Sequence, residues 1–323
     1  MLYVVTDPRS PETIKRTIVH LNVGGEWAPF PNHNIYSGTA WHYTDASATL
    51  GIVHCGEIWA SSSLMMNDAG ELDYAIGQIR ASYADWHGQG HQGAHVAVEA
   101  GLGSLEEDLY ANPPFIVSAS KSDRLLNQWA SYGAVSGYAI GFDAKTLLMP
   151  KHLVAPLVEA GSANGRLSNH GWREVIYEPI RQAEHIRATL DAMVSSSGVI
   201  ARALDAENGQ TSLITSTNLA LLATTLKDSA FAAEQEVRYT LQLTDDMTTE
   251  YRATQRGIVP FIRLVGTELN DGEVRLSSSM PVQSITVGPP TGSEKRRISS
   301  LISLRDAENH SFSVGSAGIP YLP

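Results

Sequence analysis

The segment running from Glu234 to Leu243 alternates without a break. Val237, Tyr239, Leu241 and Leu243 take every second place, and Glu234, Glu236 and Arg238 take the places between. Side chains two apart share one face of an extended strand. The segment is therefore an amphipathic strand, and it constrains the fold: one face must rest on an apolar core while the other presents two carboxylates and a guanidinium in a row. A chain of 323 residues, 43 % of them hydrophobic, is long enough to bury such a core. Two remote segments share its polar logic. Trp41-His42-Tyr43-Thr44 offers an imidazole and two hydroxyls, and Phe115-Ile116-Val117-Ser118-Ala119-Ser120 offers serines two apart. On a strand, Ser118 and Ser120 point one way and Phe115, Val117 and Ala119 the other. Together the three segments read as one ligand site.

Around them the chain divides into mixed elements. Ser10-Pro11-Glu12 followed by Ile14, Ile18 and Leu21 predicts a capped helix ended by Gly24-Gly25. Residues 46–53 predict a short helix running into a turn at Gly56, and Ile58-Trp59-Ala60 a strand. Asn67-Asp68 marks a turn, after which Leu72, Ile76, Ile79, Tyr83 and Trp86 recur at helical spacing. A glycine-rich stretch, Gly88 to Gly103, precedes the serine strand. Lys121-Ser122-Asp123 then predicts the cap of a helix carrying Leu125, Leu126 and Trp129, closed by Gly133. Strands are expected at 137–143, 237–243, 258–265 and 284–287, and helices over 182–226 with breaks near 195–198 and at Asn208-Gly209. No repeat, low-complexity tract or linker divides the chain, so residues 1–323 read as a single α+β domain with helices inserted between strands, not the regular alternation of a doubly wound fold.

Several classes of function are disfavoured. The formal charge of −11 argues against sequence-independent binding to phosphate backbones, which needs clustered Lys and Arg. Cys55 is the only cysteine, so neither an intramolecular disulfide nor a cysteine zinc cluster can form; its apolar neighbours suggest a buried small hydrophobe. No stretch approaches roughly eighteen consecutive apolar residues, and residues 1–7 lack a secretion signal. The expectation is a cytoplasmic protein with no membrane partner. His87, His91 and His95 have the spacing of one helix face, but Gly88, Gly90 and Gly93 among them predict a loop without metal. There is no phosphate-binding loop, no Gly-x-Gly-x-x-Gly opening a helix and no Gly-x-Ser-x-Gly elbow.

A resemblance enters through an ordered set: His42-Tyr43-Thr44, Gly56-Glu57-Ile58-Trp59-Ala60, Asn67-Asp68, Ser118-Ala119-Ser120, the run Gln128 to Gly133, the run Gly137 to Asp143, and Lys227 through Glu234, Glu236 and Arg238. This set resembles a bacterial family catalogued only as domain of unknown function 2971, over about residues 38–290. More distantly, an imidazole on an early strand, an aromatic and Ser-x-Ser strand in the middle and a late Glu-x-Glu are similar to the NAD-binding signature of ADP-ribosyltransferases. Histidine in the first position departs from it, since members with the serine strand usually carry arginine there.

That second resemblance implies an ADP-ribosyltransferase-like split β-sheet core, with NAD as substrate and an unidentified macromolecular or small-molecule acceptor. Cleaving the nicotinamide–ribose bond passes through an oxocarbenium-like transition state that needs a carboxylate near the sugar. The implied roles are Glu236 at the ribose 2′-hydroxyl, Glu234 on the acceptor, His42 on a ribose hydroxyl, and Ser118 on the strand or the nicotinamide amide, with Thr44 and Ser120 among the NAD contacts. Tyr43, Tyr132 or Tyr138 would stack on the nicotinamide ring, and Arg238 would pair with the diphosphate or with Glu236 itself. Plainer readings stay open beside these. The Glu, Glu, Arg row is also what a solvated strand face looks like, Ser118 and Ser120 fit a strand end and a helix N-cap, and His42, Trp129, Tyr132 and Tyr138 fit a core. The function expected is NAD-dependent ADP-ribosyl transfer or NAD glycohydrolysis, as a toxin or defence effector if the acceptor is a macromolecule. The alternative is a non-catalytic sensor or interaction module that binds a nucleotide or peptide.

Overall fold

In a computed structural model the described residues are 2–5, 17–20, 34–66, 70–133, 137–151, 171–205, 211–242, 249–254, 257–270, 273–277, 279–289 and 293–319. Their strands are β1 (Leu2–Val5), β2 (Thr17–His20), β3 (Thr39–Thr44), β4 (Glu57–Ser62), β5 (Phe115–Ser120), β6 (Tyr138–Asp143), β7 (Leu148–Pro150), β8 (Trp172–Glu174), β9 (Glu236–Leu241), β10 (Glu250–Thr254), β11 (Gly257–Asn270), β12 (Glu273–Leu276), β13 (Val282–Val287) and β14 (Ser313–Ser316). The longer helices are α1 (Ala46–Cys55), α2 (Glu71–Ala84), α3 (Gln92–Ala111), α4 (Pro179–Val194), α5 (Val199–Asp205), α6 (Thr211–Ala223) and α7 (Glu294–Ala307).

β1 and β2 pair with each other, and the remaining strands build one open, mixed sheet whose main path is β10-β11-β4-β5-β3-β6-β13-β14. Only β13 and β14 pair in parallel among the described strands; helices are inserted between strands, as the sequence predicts. β5 organises the centre. Along one edge it pairs with β9 over its whole length, from Phe115 opposite Leu241 to Ser120 opposite Glu236. Its other edge is shared, β4 taking Phe115 and Ile116 and β3 taking Ser120. The sheet forks there, leaving Val117 to Ala119 between two separating strands.

The alternation at 237–241 does what its pattern demands. Val237, Tyr239 and Leu241 join Val117, Ala119 and Trp172 in an apolar core that also takes Ile52 and Val53 from α1 and Leu301 from α7. Trp172 stands edge-on to Tyr239, with ring centroids 5.7 Å apart, and the Tyr239 hydroxyl donates to the Leu148 carbonyl at 2.6 Å. A second apolar cluster joins α2, α3, α4, α5 and α6, covering the opposite, polar face of β9. Gly56 caps α1 in the left-handed region, φ 65°, where a side chain would be strained. Among the described residues no helix is long and apolar enough to cross a membrane.

Four sequence expectations are corrected. Residues 17–20 are strand where a helix over 10–21 was predicted; the proposed cap at Ser10, like the turns at Asn67-Asp68 and Asn208-Gly209, lies outside the described residues. The glycine-rich stretch holds the long helix α3. Gly101 serves packing: a Cβ there would stand 2.7 Å from the Thr215 methyl and 3.1 Å from Leu219, so α3 and α6 approach too closely at that point for a side chain. His91 therefore caps α3 and His95 lies in its first turn, yet no group of three or more His, Cys, Asp or Glu among the described residues could hold a metal. The turn at Leu126–Gln128 has no side-chain cap and passes into a π-helical turn, Trp129–Gly133; Asp123 instead accepts from Thr286. Cys55 is exposed, because Ile52 and Val53 take the inward face of α1.

Gly103 has nothing within 4 Å of a built Cβ. Gly103→Ala is expected to stabilise by up to about 1 kcal/mol through helix propensity. Gly101→Val is expected to destabilise by about 1–3 kcal/mol through overpacking. Urea unfolding midpoints of the two variants check both, and equal midpoints would refute the packing account.

Candidate functional site

On β9, Glu236 and Arg238 share the face opposite the core, as the alternation requires, and both are buried, at 5 % and 1 % exposed. The solvated-row reading is thereby set aside. Arg238 grips Glu236 with two parallel bonds, Nε to Oε1 and Nη2 to Oε2, both 2.8 Å. Its Nη1 donates to the Thr224 carbonyl at 2.8 Å and pairs with Glu71 of α2. Of the two partners open to Arg238, the structure gives it Glu236, and Glu71 as well.

Glu234 departs from the predicted row. It ends a 3-10 helix, Ser229–Glu234, and Gln235 then takes a left-handed conformation, φ 46°, before β9 begins. That one residue turns Glu234 off the strand face. Lys227 restores the link: its Nζ lies 2.7 Å from Glu234, 3.1 Å from Glu236 and 3.4 Å from Glu71, and 4.9 Å from the Phe231 ring centroid. The Glu236 N–H donates to the Tyr177 hydroxyl at 2.9 Å. Three carboxylates thus meet two cations, and Glu234 is the most open of them, with 26 % of its side chain exposed.

The electrostatics follow from this packing. Burial pushes the Glu236 carboxyl up, but Arg238, Lys227 and a hydrogen bond from Ser118 outweigh it and hold the pKa at about 2. Burial opposes the charge on Lys227 too, and Glu236 and Glu71 reverse the balance and raise its pKa. Both groups are charged at neutral pH. His42, at the fork, is lowered by burial and by the nearby Arg252 cation, against the opposing bond to Ser118. Its Nδ1 lies 2.9 Å from the Ser118 carbonyl. A carbonyl only accepts, so Nδ1 carries the proton and Nε2 the lone pair.

The structure therefore sets Ser118, Ser120, Glu236 and Arg238 on the polar face of β5 and β9, with Glu234 added through Lys227 from just before β9; His42 of β3, opposite the core residue Ile140, reaches this group through the Ser118 carbonyl. It does not bring in the proposed ring platforms. Tyr43 is core: its hydroxyl donates to the Ser122 carbonyl at 2.7 Å and accepts from the Leu125 N–H at 3.0 Å, and its ring stands edge-on to Trp129. Tyr138 belongs to the apolar core on the other side of the sheet, with Arg297 over its ring, and Thr44 pairs opposite it at the end of β3. Tyr132 is 41 % exposed on the π-helical turn. Ser120 is opposite Glu236 within β5 and is not a helix cap. Sequence reasoning assigned no role to Glu71 or Tyr177, whose parts depend on helix packing that no local pattern announces; Lys227 stood in the motif set without one.

Comparison with known proteins adds a match to one family model over part of the chain, and no activity. Residues 128–239 match the model of a family described as Protein of unknown function (DUF2971). That span carries Lys227, Glu234, Glu236 and Arg238 but neither His42 nor Ser118, and it is narrower than the 38–290 expected from the motifs. No curated protein and no solved structure is significantly similar to the chain.

Removing one member of a buried ion pair strands the other, at a cost of about 3–5 kcal/mol. Arg238→Met and Glu236→Gln are each expected to destabilise by that order. The pH dependence has a definite sign. The folded pKa of Glu236 is depressed, so its contribution is full above the usual carboxylate value and is lost as pH falls toward about 2. Urea midpoints followed from pH 6 down to pH 2 should fall less steeply in a folded Glu236→Gln variant than in the native chain; parallel curves would contradict the assignment.

Proposed function

We propose that the chain binds NAD at the fork beside β5 and cleaves its nicotinamide–ribose bond, passing ADP-ribose to water or to another acceptor. The observation that carries this reading is the chain of contacts that joins three remote segments, from the His42 ring to the Ser118 carbonyl, from the Ser118 hydroxyl to Glu236, and through Lys227 to the half-buried Glu234. The carboxylate a ligand reaches is then Glu234, and Glu236 is a positioning residue. Glu234 keeps the acceptor role expected of it and takes over the charge stabilisation expected of Glu236.

In the step, the C–N bond to nicotinamide breaks and its electron pair leaves on nicotinamide, which departs neutral. Positive charge develops on the ribose, and a fixed carboxylate stabilises it without reorganisation. An acceptor O–H or N–H attacks C1′ and gives its proton to Glu234. His42, neutral and held by its Nδ1–H, offers Nε2 to a ribose hydroxyl. If the acceptor is RNA, DNA or protein the protein acts as a toxin or defence effector, which label transfer in a lysate would detect.

A second reading, a binding module without turnover, is favoured by one fact: both oxygens of Glu236 are already committed to Arg238. Proton NMR of free nicotinamide separates the two, because it is blind to the acceptor. With NAD, alone or with lysate, the native chain is expected to release nicotinamide, and Glu234→Gln to slow release by about 100-fold while leaving the unfolding midpoint in place. Release unchanged in Glu234→Gln, or no release in any sample, would sink the catalytic reading; saturable NAD binding without release would establish the second.

A further inference from the structure

One face of the β4, β11 and β10 branch of the fork carries an aromatic and basic cluster that the proposed chemistry leaves unused. Trp59 and Ser61 of β4, Phe261 and Arg263 of β11, and Glu250 and Arg252 of β10 share it by register, Trp59 lying opposite Arg263 and Glu250 opposite Phe261. Trp59 stacks on Phe261, centroids 4.4 Å apart, yet stays 39 % exposed. The Arg252 guanidinium sits 5.3 Å from the Trp59 centroid and 5.8 Å from that of Phe261. The other charges neutralise one another. Glu57 takes Lys151 at 2.5 Å and Arg263 at 3.0 Å, and Arg263 also takes Glu250 at 2.7 Å.

Arg252 is left over. Its Nη2 donates to the Ser61 hydroxyl at 2.8 Å, its Nε is buried without a partner, and no carboxylate pairs with it among the described residues. A partly desolvated guanidinium without a counter-charge among the described residues, beside an exposed indole, in a chain of net charge −11, is complementary to a planar anion. The place is right as well, since Ser61 lies opposite Ile116, two residues from Ser118 on β5, and Arg252 is close enough to His42 to lower its pKa.

We infer that this face seats the nucleotide part of the ligand, Trp59 stacking on a base and Arg252 taking a phosphate. The choice of a nucleoside phosphate rests on the NAD reading; the preference for an aromatic anion rests on the cluster itself. Stacking on an indole tolerates any base, so the selectivity comes from the phosphate.

Calorimetric titration of the full chain with AMP, adenosine and inorganic phosphate tests it. AMP should bind at least about tenfold more tightly than either fragment. Arg252→Gln should weaken AMP by about tenfold or more and leave adenosine unchanged, whereas Trp59→Leu should weaken both. Circular dichroism and unfolding midpoints control for folding, and Arg252→Lys, which keeps the charge, should retain most of the AMP affinity if Arg252→Gln does not fold. No AMP binding by the native chain, or AMP affinity unchanged in folded Trp59→Leu or Arg252→Gln, would overturn the inference. AMP binding that follows these variants without any nicotinamide release removes the cleavage reading and keeps this site; release with AMP affinity indifferent to both variants does the reverse.

Discussion

A carboxylate buried at 5 % exposure inside a sheet is costly unless its geometry is right, and the Glu236–Arg238 pair is the contact on which the central architecture turns. Desolvating each ion costs several kcal/mol, which only paired, hydrogen-bonded partners offset. The bidentate grip supplies one set of partners. The others come from outside the strand: Glu71 from α2, the Thr224 carbonyl just after α6, and Lys227 from the connection to β9. The helices that cover the polar face of β9 are thus held to it by charge, where the opposite face is held by apolar packing. An apolar replacement of similar shape would hold layers together as well, so the network's distinctive contribution is orientation: it admits one arrangement of α2, the Lys227 segment and β9.

The fork at β5 follows from a simpler constraint. A strand edge offers one ladder, and β3 and β4 divide it between the two ends of β5. The Ser118 carbonyl lies where neither completes the ladder, and the imidazole of His42 bonds to it. That satisfies the backbone and also fixes the tautomer, leaving a basic nitrogen beside a gap in the sheet. The same separation exposes Trp59 and strands Arg252 on the other branch.

What the sequence made legible was whatever depends on local period. Strand β9, the facing of β5, helix α2 and the break at 195–198 between α4 and α5 all come from spacings within a few residues. The shared facing of Ser118 with Ser120 and of Glu236 with Arg238 was legible too, because residues two apart on a strand lie on one side of it. The misses have one character. Helix α3 was hidden by glycines, one of which, Gly101, is used for contact with Thr215 and Leu219, more than a hundred residues away. Glu234 was placed on the strand because nothing in Ala-Ala-Glu-Gln-Glu announces that Gln235 will adopt a positive φ. Glu71 carries no local signal beyond an acidic residue in the first turn of α2, and only packing brings Arg238 to it. Tertiary partners, not propensities, decided each case.

The left-handed residue between the two glutamates has a consequence for chemistry. Had Glu234 continued the strand, both carboxylates would face the helical layer, both would be desolvated, and the two cations would have to serve three buried anions. With Gln235 bent, Glu234 swings to the rim, keeps the shorter contact to Lys227, and meets solvent with more than four times the side-chain exposure of Glu236. The cluster's excess negative charge then sits where a ligand can approach, and the deeper carboxylate is the counter-ion that keeps Arg238 and Lys227 in place. A developing positive charge on a ribose would meet a fixed anion there, while an anionic phosphate would be repelled. The phosphate is better accommodated at Arg252, which has no carboxylate partner, so a ligand with a cationic and an anionic part is the kind this arrangement of charges can orient.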